Sequence, residues 1–235
     1  MDIYTIISAF LGAVFSFFLL IPIENQRKPK LSITLADFNF DNNLPKDKPA
    51  RIIKVLRVKL INRKVKEFYS WWLKRESAVH CNVSIQLLTI EGLAPLFSKP
   101  VHGRWTNSDE PYTVQIDTNT RQPLIVFDPA KYNSVMTRNC FPGTDELIDI
   151  ATRYDAEDEC YIWNNDIYYK GWRNADLQIP KGTYYLIVTV YTAGEKTYGF
   201  FKLQNLLKIN DFQLLNIGKD EIKKIKSQYL EIPKT

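Results

Sequence analysis

Histidines, cysteines and clustered carboxylates carry much of the chemistry of enzymes, and this chain has few of them. Its 235 residues include two histidines, His80 and His102, and three cysteines, Cys81, Cys140 and Cys160. If the segment around residue 81 is a strand, His80 and Cys81 point to opposite faces and cannot form a nucleophile and base pair. No Cys-x-x-Cys or paired histidine spacing indicates zinc, and no phosphate-binding or hydrolase motif is present. We therefore expect a non-enzymatic protein with no catalytic residue, metal or cofactor.

An acidic run, Asp155-Ala156-Glu157-Asp158-Glu159, is the one place where oxygen ligands follow one another closely. Carboxylate oxygens of this kind can bind Ca²⁺, although the run lacks the Asp-x-Asp-x-Asp-Gly order of a dedicated calcium loop. A solvated turn between two strands is the preferred interpretation, and calcium binding stays open.

Five basic and four aromatic residues interleave between Arg63 and Arg75. Tryptophan and tyrosine rings favour the lipid headgroup region, and lysine and arginine are attracted to anionic lipid. The alternatives are packing of the rings on the fold, contact with a protein partner, and stacking on single-stranded nucleic acid. A net charge of +5 is too small to indicate nucleic acid. The candidate membrane or partner surface consists of Lys64, Lys66, Tyr69, Trp71, Trp72, Lys74 and Arg75.

A second candidate site is the turn that contains His102, Arg104 and Trp105. In a ligand-binding loop, Trp105 would be a stacking platform and Arg104 an anion contact. Alternatively, Trp105 fills the end of the fold and Arg104 holds loop carbonyls. Further aromatic residues could form a carbohydrate platform on an outward-facing domain, or could simply cover the core. They are Tyr161, Trp163, Tyr168, Tyr169 and Trp172.

The elements that must position these residues begin with an apolar run. No charged residue lies between Asp2 and Glu24. The run from Ile3 to Ile23, as a helix, would be about 31 Å long, which is the thickness of a bilayer core. We therefore expect residues 1–23 to be a single transmembrane anchor, so that the bilayer is the first partner.

Charges beside this run predict its orientation. Arg27, Lys28 and Lys30 follow the run, whereas only Asp2 and the amino terminus precede it. Basic flanks tend to stay in the cytoplasm, which favours a cytoplasmic domain in a single-pass protein. An outward-facing domain and a cleaved signal peptide are the alternatives. The odd number of cysteines agrees with a reducing compartment, although a Cys81–Cys160 bridge remains open.

The remaining chain alternates apolar and polar residues in runs that turn signals separate, which is typical of an antiparallel β-sandwich. We expect a linker at residues 24–30, a sandwich at 31–218 and a helix with a tail at 219–235, in which Asp220 caps the helix. The predicted strands are Leu31–Leu35, Arg51–Asn62, a segment around Cys81, Leu124–Phe127, Leu147–Arg153, Cys160–Trp163, Thr183–Thr192, Tyr198–Leu203 and Phe212–Ile217. Loops are predicted at Phe97–Tyr112 and Asn164–Ile179.

Three features resemble a loosely defined group of prokaryotic membrane-anchored proteins with an immunoglobulin-like domain. They are the N-terminal apolar run, the Gly103-Arg104-Trp105 turn followed by Glu110-Pro111, and the run from Lys181 to Tyr191 that leads to Phe201-Lys202-Leu203-Gln204-Asn205. The resemblance covers about half of the chain. It implies a mainly β, immunoglobulin-like sandwich behind an anchor, and it brings no catalytic residues.

Together these patterns predict a membrane-tethered interaction or scaffold module that faces the cytoplasm. Anionic lipid headgroups and a protein of unknown identity are the expected partners, and nucleic acid is not. The alternative function is an outward-facing domain that binds a carbohydrate or another small ligand through its aromatic loops.

Overall fold

The computed structural model describes residues 3–36, 40–41, 53–154, 157–171 and 173–230. Asp155, Ala156, Trp172 and the tail at 231–235 therefore lie outside the described residues, as does the side chain of Tyr69. The α-helices are α1 (Ile3–Arg27), α2 (Pro129–Ser134), α3 (Ile167–Lys170) and α4 (Lys219–Ile225), and a π-helical turn (Lys226–Leu230) follows α4. Short 3-10 helices lie at Glu67–Tyr69, Ala175–Leu177 and Ile209–Asp211.

Most of the described chain forms strands. They are β1 (Leu31–Leu35), β2 (Phe40–Asp41), β3 (Ile53–Asn62), β4 (Ala78–Thr89), β5 (Val101–His102), β6 (Arg104–Trp105), β7 (Tyr112–Ile116), β8 (Pro123–Phe127), β9 (Arg138–Cys140), β10 (Asp145–Tyr154), β11 (Cys160–Ile162), β12 (Gln178–Ile179), β13 (Gly182–Tyr191), β14 (Lys196–Asn205) and β15 (Gln213–Asn216).

Two antiparallel sheets contain nearly all of these strands. The first has the order β1-β3-β10-β11-β12, with β2 beside β3 and β6 beside β10. The second has the order β15-β14-β13-β4-β5, with β9 beside β4. Strands β7 and β8 form a separate hairpin. The mainly β, antiparallel prediction is therefore confirmed.

The core lies between the two sheets because each long strand turns one apolar face inward. Leu56, Val58 and Leu60 of β3 belong to the same buried cluster as Cys81, Val83, Ile85 and Leu87 of β4. Period-two alternation in the sequence places these side chains on a single face of each strand. This burial of apolar surface is the main stabilising contribution to the fold.

Several short strands lie in segments that were predicted to be loops. The predicted loop Phe97–Tyr112 contains β5 and β6, and the predicted loop Asn164–Ile179 contains α3 and β12. Strands of two residues are too short to show a period, so sequence alternation cannot reveal them.

Helix α1 extends further than the predicted anchor and includes part of the predicted linker at 24–30. It continues to Arg27, because the backbone N–H of Lys28 still donates to the carbonyl of Glu24 (3.1 Å) and proline first ends the helix at position 29. The side chains at positions 5, 6, 7, 9, 13 and 19 lie outside the described structure. Among the described residues, no helix combines the length and apolar character that crossing a membrane demands.

The C-terminal helix α4 docks on the outer face of the second sheet. Ile225 is buried in a small cluster with Leu88, Tyr185 and Ile187. The predicted cap at Asp220 is wrong, because the helix begins at Lys219 with Gly218 as its N-cap, and the Glu221 carboxylate accepts a bond from the backbone N–H of Gly218 (3.1 Å). This backbone bond, together with Lys202 and Tyr185, lowers the pKa of Glu221.

The buried cysteines give a direct test of the core. Cys81, Cys140 and Cys160 are free thiols, and burial raises the pKa of Cys81 to about 11. Because burial shields the three thiols from the reagent and also raises their pKa, we expect iodoacetamide to modify none of them in the native protein and all three in urea, as counted by mass spectrometry.

The raised pKa of Cys81 also predicts a pH dependence of stability. Above the ordinary pKa of 9.0 the unfolded thiol loses its proton while the folded thiol keeps it until about pH 11. The free energy of unfolding should therefore decrease as the pH rises through this window, and a Cys81→Ala variant should lose that part of the decrease. Rapid alkylation of native Cys81 at pH 7 would contradict the buried position.

Candidate functional site: the tether end of the sandwich

The basic and aromatic segment lies where α1 joins the sandwich. Residues 63–77 connect β3 to β4, and the first residue of β1, Leu31, pairs with the last residue of β3, Asn62. We call this the tether end, defined by Leu31, Asn62 and Ala78. The sequence placed the segment between two strands, but only the sheet register brings it beside the helix.

Its tryptophans face outward and do not fill the core. Trp71 is 83% exposed and Trp72 is 48% exposed, and their rings meet edge to face at 6.3 Å. Phe68 is also exposed. The alternative in which these rings pack into the sandwich is therefore wrong for Trp71, and Trp72 is only half covered. Among the described side chains of this segment, Leu73 is the buried one.

The segment is hydrogen-bonded to the end of α1. The backbone N–H of Glu76 donates to the carbonyl of Arg27 (2.7 Å), and Arg75 Nη1 donates to the carbonyl of Lys28 (2.7 Å). Arg27 also forms an ion pair with Glu76 at 3.2 Å. These carbonyls follow the last turn of the helix, where intrahelical partners are missing. Arg75, predicted as a surface contact, is thus a half-buried link between helix and loop.

Asn62 joins four segments at the tether end. Its Oδ1 accepts from the backbone N–H of Lys30 (3.1 Å), and its Nδ2 donates to the carbonyls of Glu76 (2.9 Å) and Cys140 (3.2 Å). Its own carbonyl accepts from the N–H of Gly143 (2.7 Å). The side chain is fully buried, so these groups depend on Asn62 for their hydrogen bonds.

Three of the four predicted lysine and arginine contacts remain exposed. Lys66 and Lys74 are exposed, and Lys64 is exposed while its methylene stem passes close over Gly143. A Cβ at Gly143 would meet Lys64 Cε at 1.9 Å, and Gly143 has φ +79°, so glycine is required there. The stem of Lys64 therefore helps to cover the turn that Asn62 holds.

The predicted loop site at His102, Arg104 and Trp105 is not an open pocket. Trp105 is buried in the main core, so the interpretation in which it is a stacking platform is wrong, and the alternative in which it fills the fold is the one that the structure adopts. His102 is exposed and its backbone pairs with Ser84.

Arg104 is held by a buried acid. It lies 3.8 Å from Asp149 Oδ2, while Arg57 Nε donates to Asp149 Oδ1 at 2.7 Å and Thr106 donates to the same oxygen at 2.8 Å. Its Nη2 also donates to the hydroxyl of Tyr168 at 2.7 Å. Asp149 has its negative charge balanced by two arginines, and Arg104 has structural partners in place of a ligand anion.

The proposed aromatic platform is a packed cluster. The ring of Tyr168 meets Tyr112 edge to face at 5.4 Å, and Tyr169 packs against Phe127 and Tyr132. Tyr161 is buried. Edge contacts of this kind fix the base of the β7–β8 hairpin and leave no flat row of rings among the described members of the set.

The described acids of the acidic run have cationic or hydroxyl partners. Glu157 forms an ion pair with Arg173, Asp158 forms one with Lys181 at 2.7 Å, and Glu159 accepts a bond from Tyr161. Within the described residues, no group of three histidine, cysteine or acidic side chains could hold a metal ion.

Two sets of exposed apolar residues are not among the predicted site residues, although Ile125 lies in the predicted strand Leu124–Phe127. Val79 and Phe141 lie at the tether end, and Val114, Ile116 and Ile125 line one face of the β7–β8 hairpin. Alternation from Tyr112 to Ile116 is the signal that could have revealed the hairpin. Phe141 follows a three-residue strand and gives no such signal.

Comparison with known proteins yields few relatives. No family model matches the chain, and no curated protein matches it. One similar solved structure is a family 123 glycoside hydrolase from Clostridium perfringens, with 7% identity and a TM-score of 0.30 over 77% of this chain and 27% of the hydrolase. Another is a putative late embryogenesis abundant protein, with 14% identity and a TM-score of 0.23 over 89% of this chain and 88% of that protein.

These similarities are too low to carry a functional conclusion. The chain spans about a quarter of the hydrolase's length.

Adjacent residues of the loop should respond differently to truncation. Because Leu73 is buried and Trp71 is exposed, Leu73→Ala should lower the free energy of unfolding by about 2–5 kcal/mol, whereas Trp71→Ala should change it by less than about 0.5 kcal/mol. Urea unfolding in mild detergent, followed by circular dichroism, measures both. A large loss for Trp71→Ala would mean that its ring packs in the core.

Asn62 should be far more sensitive than an exposed asparagine. Asn62→Leu leaves the Lys30 N–H and the Glu76 and Cys140 carbonyls without their partner. Cys140 is buried, and an unsatisfied buried group costs about 1–3 kcal/mol, while the exposed Lys30 and Glu76 add a smaller loss. We expect a loss of at least about 2 kcal/mol by urea unfolding. Asn216→Leu, at an exposed strand position, is the matched control. Equal effects of the two substitutions would refute the role given to Asn62.

Proposed function

We propose that this protein is a non-enzymatic interaction or scaffold module that α1 holds at a membrane, with the sandwich in the cytoplasm. The observation that carries the proposal is the outward-facing apolar surface of α1. Phe10, Leu11, Phe15 and Phe18 are all exposed, and none of the described α1 side chains belongs to the sandwich core. Such a surface needs a covering that the sandwich does not supply.

The bilayer is the covering that suits the sequence best. The sequence from Ile3 to Ile23 contains no charged residue. This statement includes the positions of α1 whose side chains the structure does not describe. The proposal that α1 spans a membrane therefore rests on composition. It goes beyond the described residues, among which no helix is long and apolar enough to cross a membrane. A helix satisfies its own backbone hydrogen bonds, which lipid requires.

The orientation is proposed from the basic residues that follow the run. Arg27, Lys28 and Lys30 are exposed at the end of α1. Lysine and arginine next to a span are retained on the cytoplasmic side, which favours a cytoplasmic sandwich.

An immunoglobulin-like arrangement of the sandwich is part of the proposal. When β1, β3 and β10 are taken as strands A, B and E, and β4, β13 and β14 as C, F and G, the observed neighbours are A-B-E and G-F-C. This grouping is the one that immunoglobulin-like sandwiches share. Such domains commonly serve as binding modules.

The buried charges support a binding role over a catalytic one. Asp149 is balanced by Arg57 and Arg104, and the buried Arg153 donates to the carbonyls of Glu157 (3.0 Å) and Leu207 (2.7 Å). These charged groups hold loops in place. The exposed apolar face of the β7–β8 hairpin adds a surface of the kind that interaction proteins present.

Charges placed in the middle of α1 should release the protein from the membrane. A Leu11→Arg and Phe15→Arg double variant adds two charges to exposed helix positions, each costing about 2.5–3.5 kcal/mol of insertion. We expect wild type to stay in the membrane pellet after an alkaline carbonate wash and the variant to enter the supernatant. The matched control, Ile116→Arg with Ile125→Arg on the hairpin, should stay in the pellet. Release of wild type would refute the anchor.

The side of the membrane on which the sandwich lies can be measured by labelling an introduced cysteine. Because the native cysteines are buried, Leu207→Cys adds the one readily accessible thiol among the described residues, at a position that is 73% exposed. A membrane-impermeant maleimide should label it only after the cells are permeabilised. Labelling of intact cells would place the sandwich outside and favour the carbohydrate-binding alternative.

A further inference from the structure

Exposed apolar side chains from three segments lie at the tether end. Phe68, Trp71 and Trp72 come from the loop, Val79 from the start of β4 and Phe141 from the residue after β9. Their segments share this end of the sandwich because Ala78 pairs with Cys140 and because Pro142 bridges to Asn62. We call these five residues the apolar rim.

The rim has a fixed position relative to α1. Three residues, Lys28 to Lys30, separate the end of α1 from the start of β1, so the two ends can be at most about 14 Å apart. Arg63 N–H donates to the Lys30 carbonyl (3.0 Å), and Glu76 N–H donates to the Arg27 carbonyl (2.7 Å). The rim therefore lies within one short connection of the point where α1 would leave a bilayer.

Positive charge predominates in the loop that carries most of the rim, because residues 63–77 contain five basic side chains and two acidic ones, Glu67 and Glu76. Exposed basic residues of the tether and the loop share this end of the molecule, and Lys66 and Lys74 have no ion pair among the described residues. Aromatic rings with neighbouring lysines match the headgroup region of an anionic bilayer, where each nearby lysine contributes about 1 kcal/mol. The basic residues are Lys28, Lys30, Arg63, Lys64, Lys66 and Lys74.

We propose that the apolar rim docks on the anionic headgroup layer of the membrane that holds α1, so that the sandwich stands end-on with its tether end in the interface. The inference rests on the proposed function, since α1 supplies the proximity. A tether this short gives a high effective concentration, so that a weak contact suffices. The opposite end, which carries Leu207 and Lys208, then faces away from the lipid.

The test uses the full chain in vesicles and one environment-sensitive fluorophore at a time. Trp71→Cys and Leu207→Cys place the dye at exposed apolar positions at the two ends, while the native thiols are buried. In vesicles with anionic lipid, the dye at position 71 should emit at shorter wavelength and be quenched by headgroup-labelled lipid. The dye at position 207 should show neither effect. Equal behaviour at both positions, while the chain still floats with the vesicles, would overturn docking and leave the anchor standing.

Charge-reversal variants distinguish the contribution of the lysines near the rim to lipid docking from the effect of net charge. Lys66→Glu with Lys74→Glu lowers the net charge from +5 to +1, since each of the two reversals removes two charges. Lys208→Glu with Lys219→Glu makes the same change at exposed positions away from the rim. Only the first pair should abolish the quenching at position 71, and neutral vesicles should abolish it in the wild-type background. Equal loss in both pairs would overturn the assignment to the rim.

Two further outcomes of the fluorescence experiment would have explanations other than lipid docking. A blue shift at position 71 that persists in neutral vesicles and grows with protein concentration would assign the rim to a second copy of the chain and overturn lipid docking. Failure of the full chain to float with any vesicle would instead refute the anchor and, with it, the docking that depends on it.

Discussion

The buried amide of Asn62 is the constraint on which the tether end depends. One side chain bonds the exit of α1, the end of the aromatic loop and the end of β9, and the adjacent carbonyl holds the Gly143 turn. A buried amide can satisfy three partners at once only in one arrangement, so these segments are fixed together. The position of the exposed tryptophans follows from this arrangement, because Leu73 and Arg75 close the loop against it.

Charged groups in the sandwich have a similar structural role away from the tether end. Asp149 lies where the β3–β10 register shifts, and Arg57, Arg104 and Thr106 surround it. Arg153 and Asn205 are both buried and bond to each other at 3.1 Å, which joins the two sheets at the opposite end. A buried charge without such partners would be costly, and these bonds explain why the residues are charged.

Buried and exposed apolar side chains therefore occupy different parts of the molecule. The sheets bury nearly all of their apolar faces against each other or, at the second sheet, against α4. Large apolar side chains remain exposed in groups on α1, at the tether end and on the β7–β8 hairpin, and as the pair Leu206 and Leu207 at the opposite end. Monomeric soluble proteins seldom keep contiguous patches of this kind, so the three groups are where contacts with lipid or with other molecules are expected.

The sequence alone determined the elements whose residues repeat with a clear period. The alternation in β3, β4, β13 and β14 and the apolar run in α1 predict strands and a helix, because neighbouring side chains point in directions that the backbone fixes. Composition also identified Trp71, Trp72 and their lysines as an unusual group.

Only the tertiary structure decided which of these residues are exposed and which meet. Trp105 and Trp71 are the same residue type, and the sequence places each in a connection between predicted strands, yet one lies in the core and the other in solvent. Strand pairing brings Phe141 beside a loop about 70 residues earlier in the chain, and no local pattern contains that information. Side-chain identity sets what a residue can do, whereas long-range packing between sheets sets where it can do it.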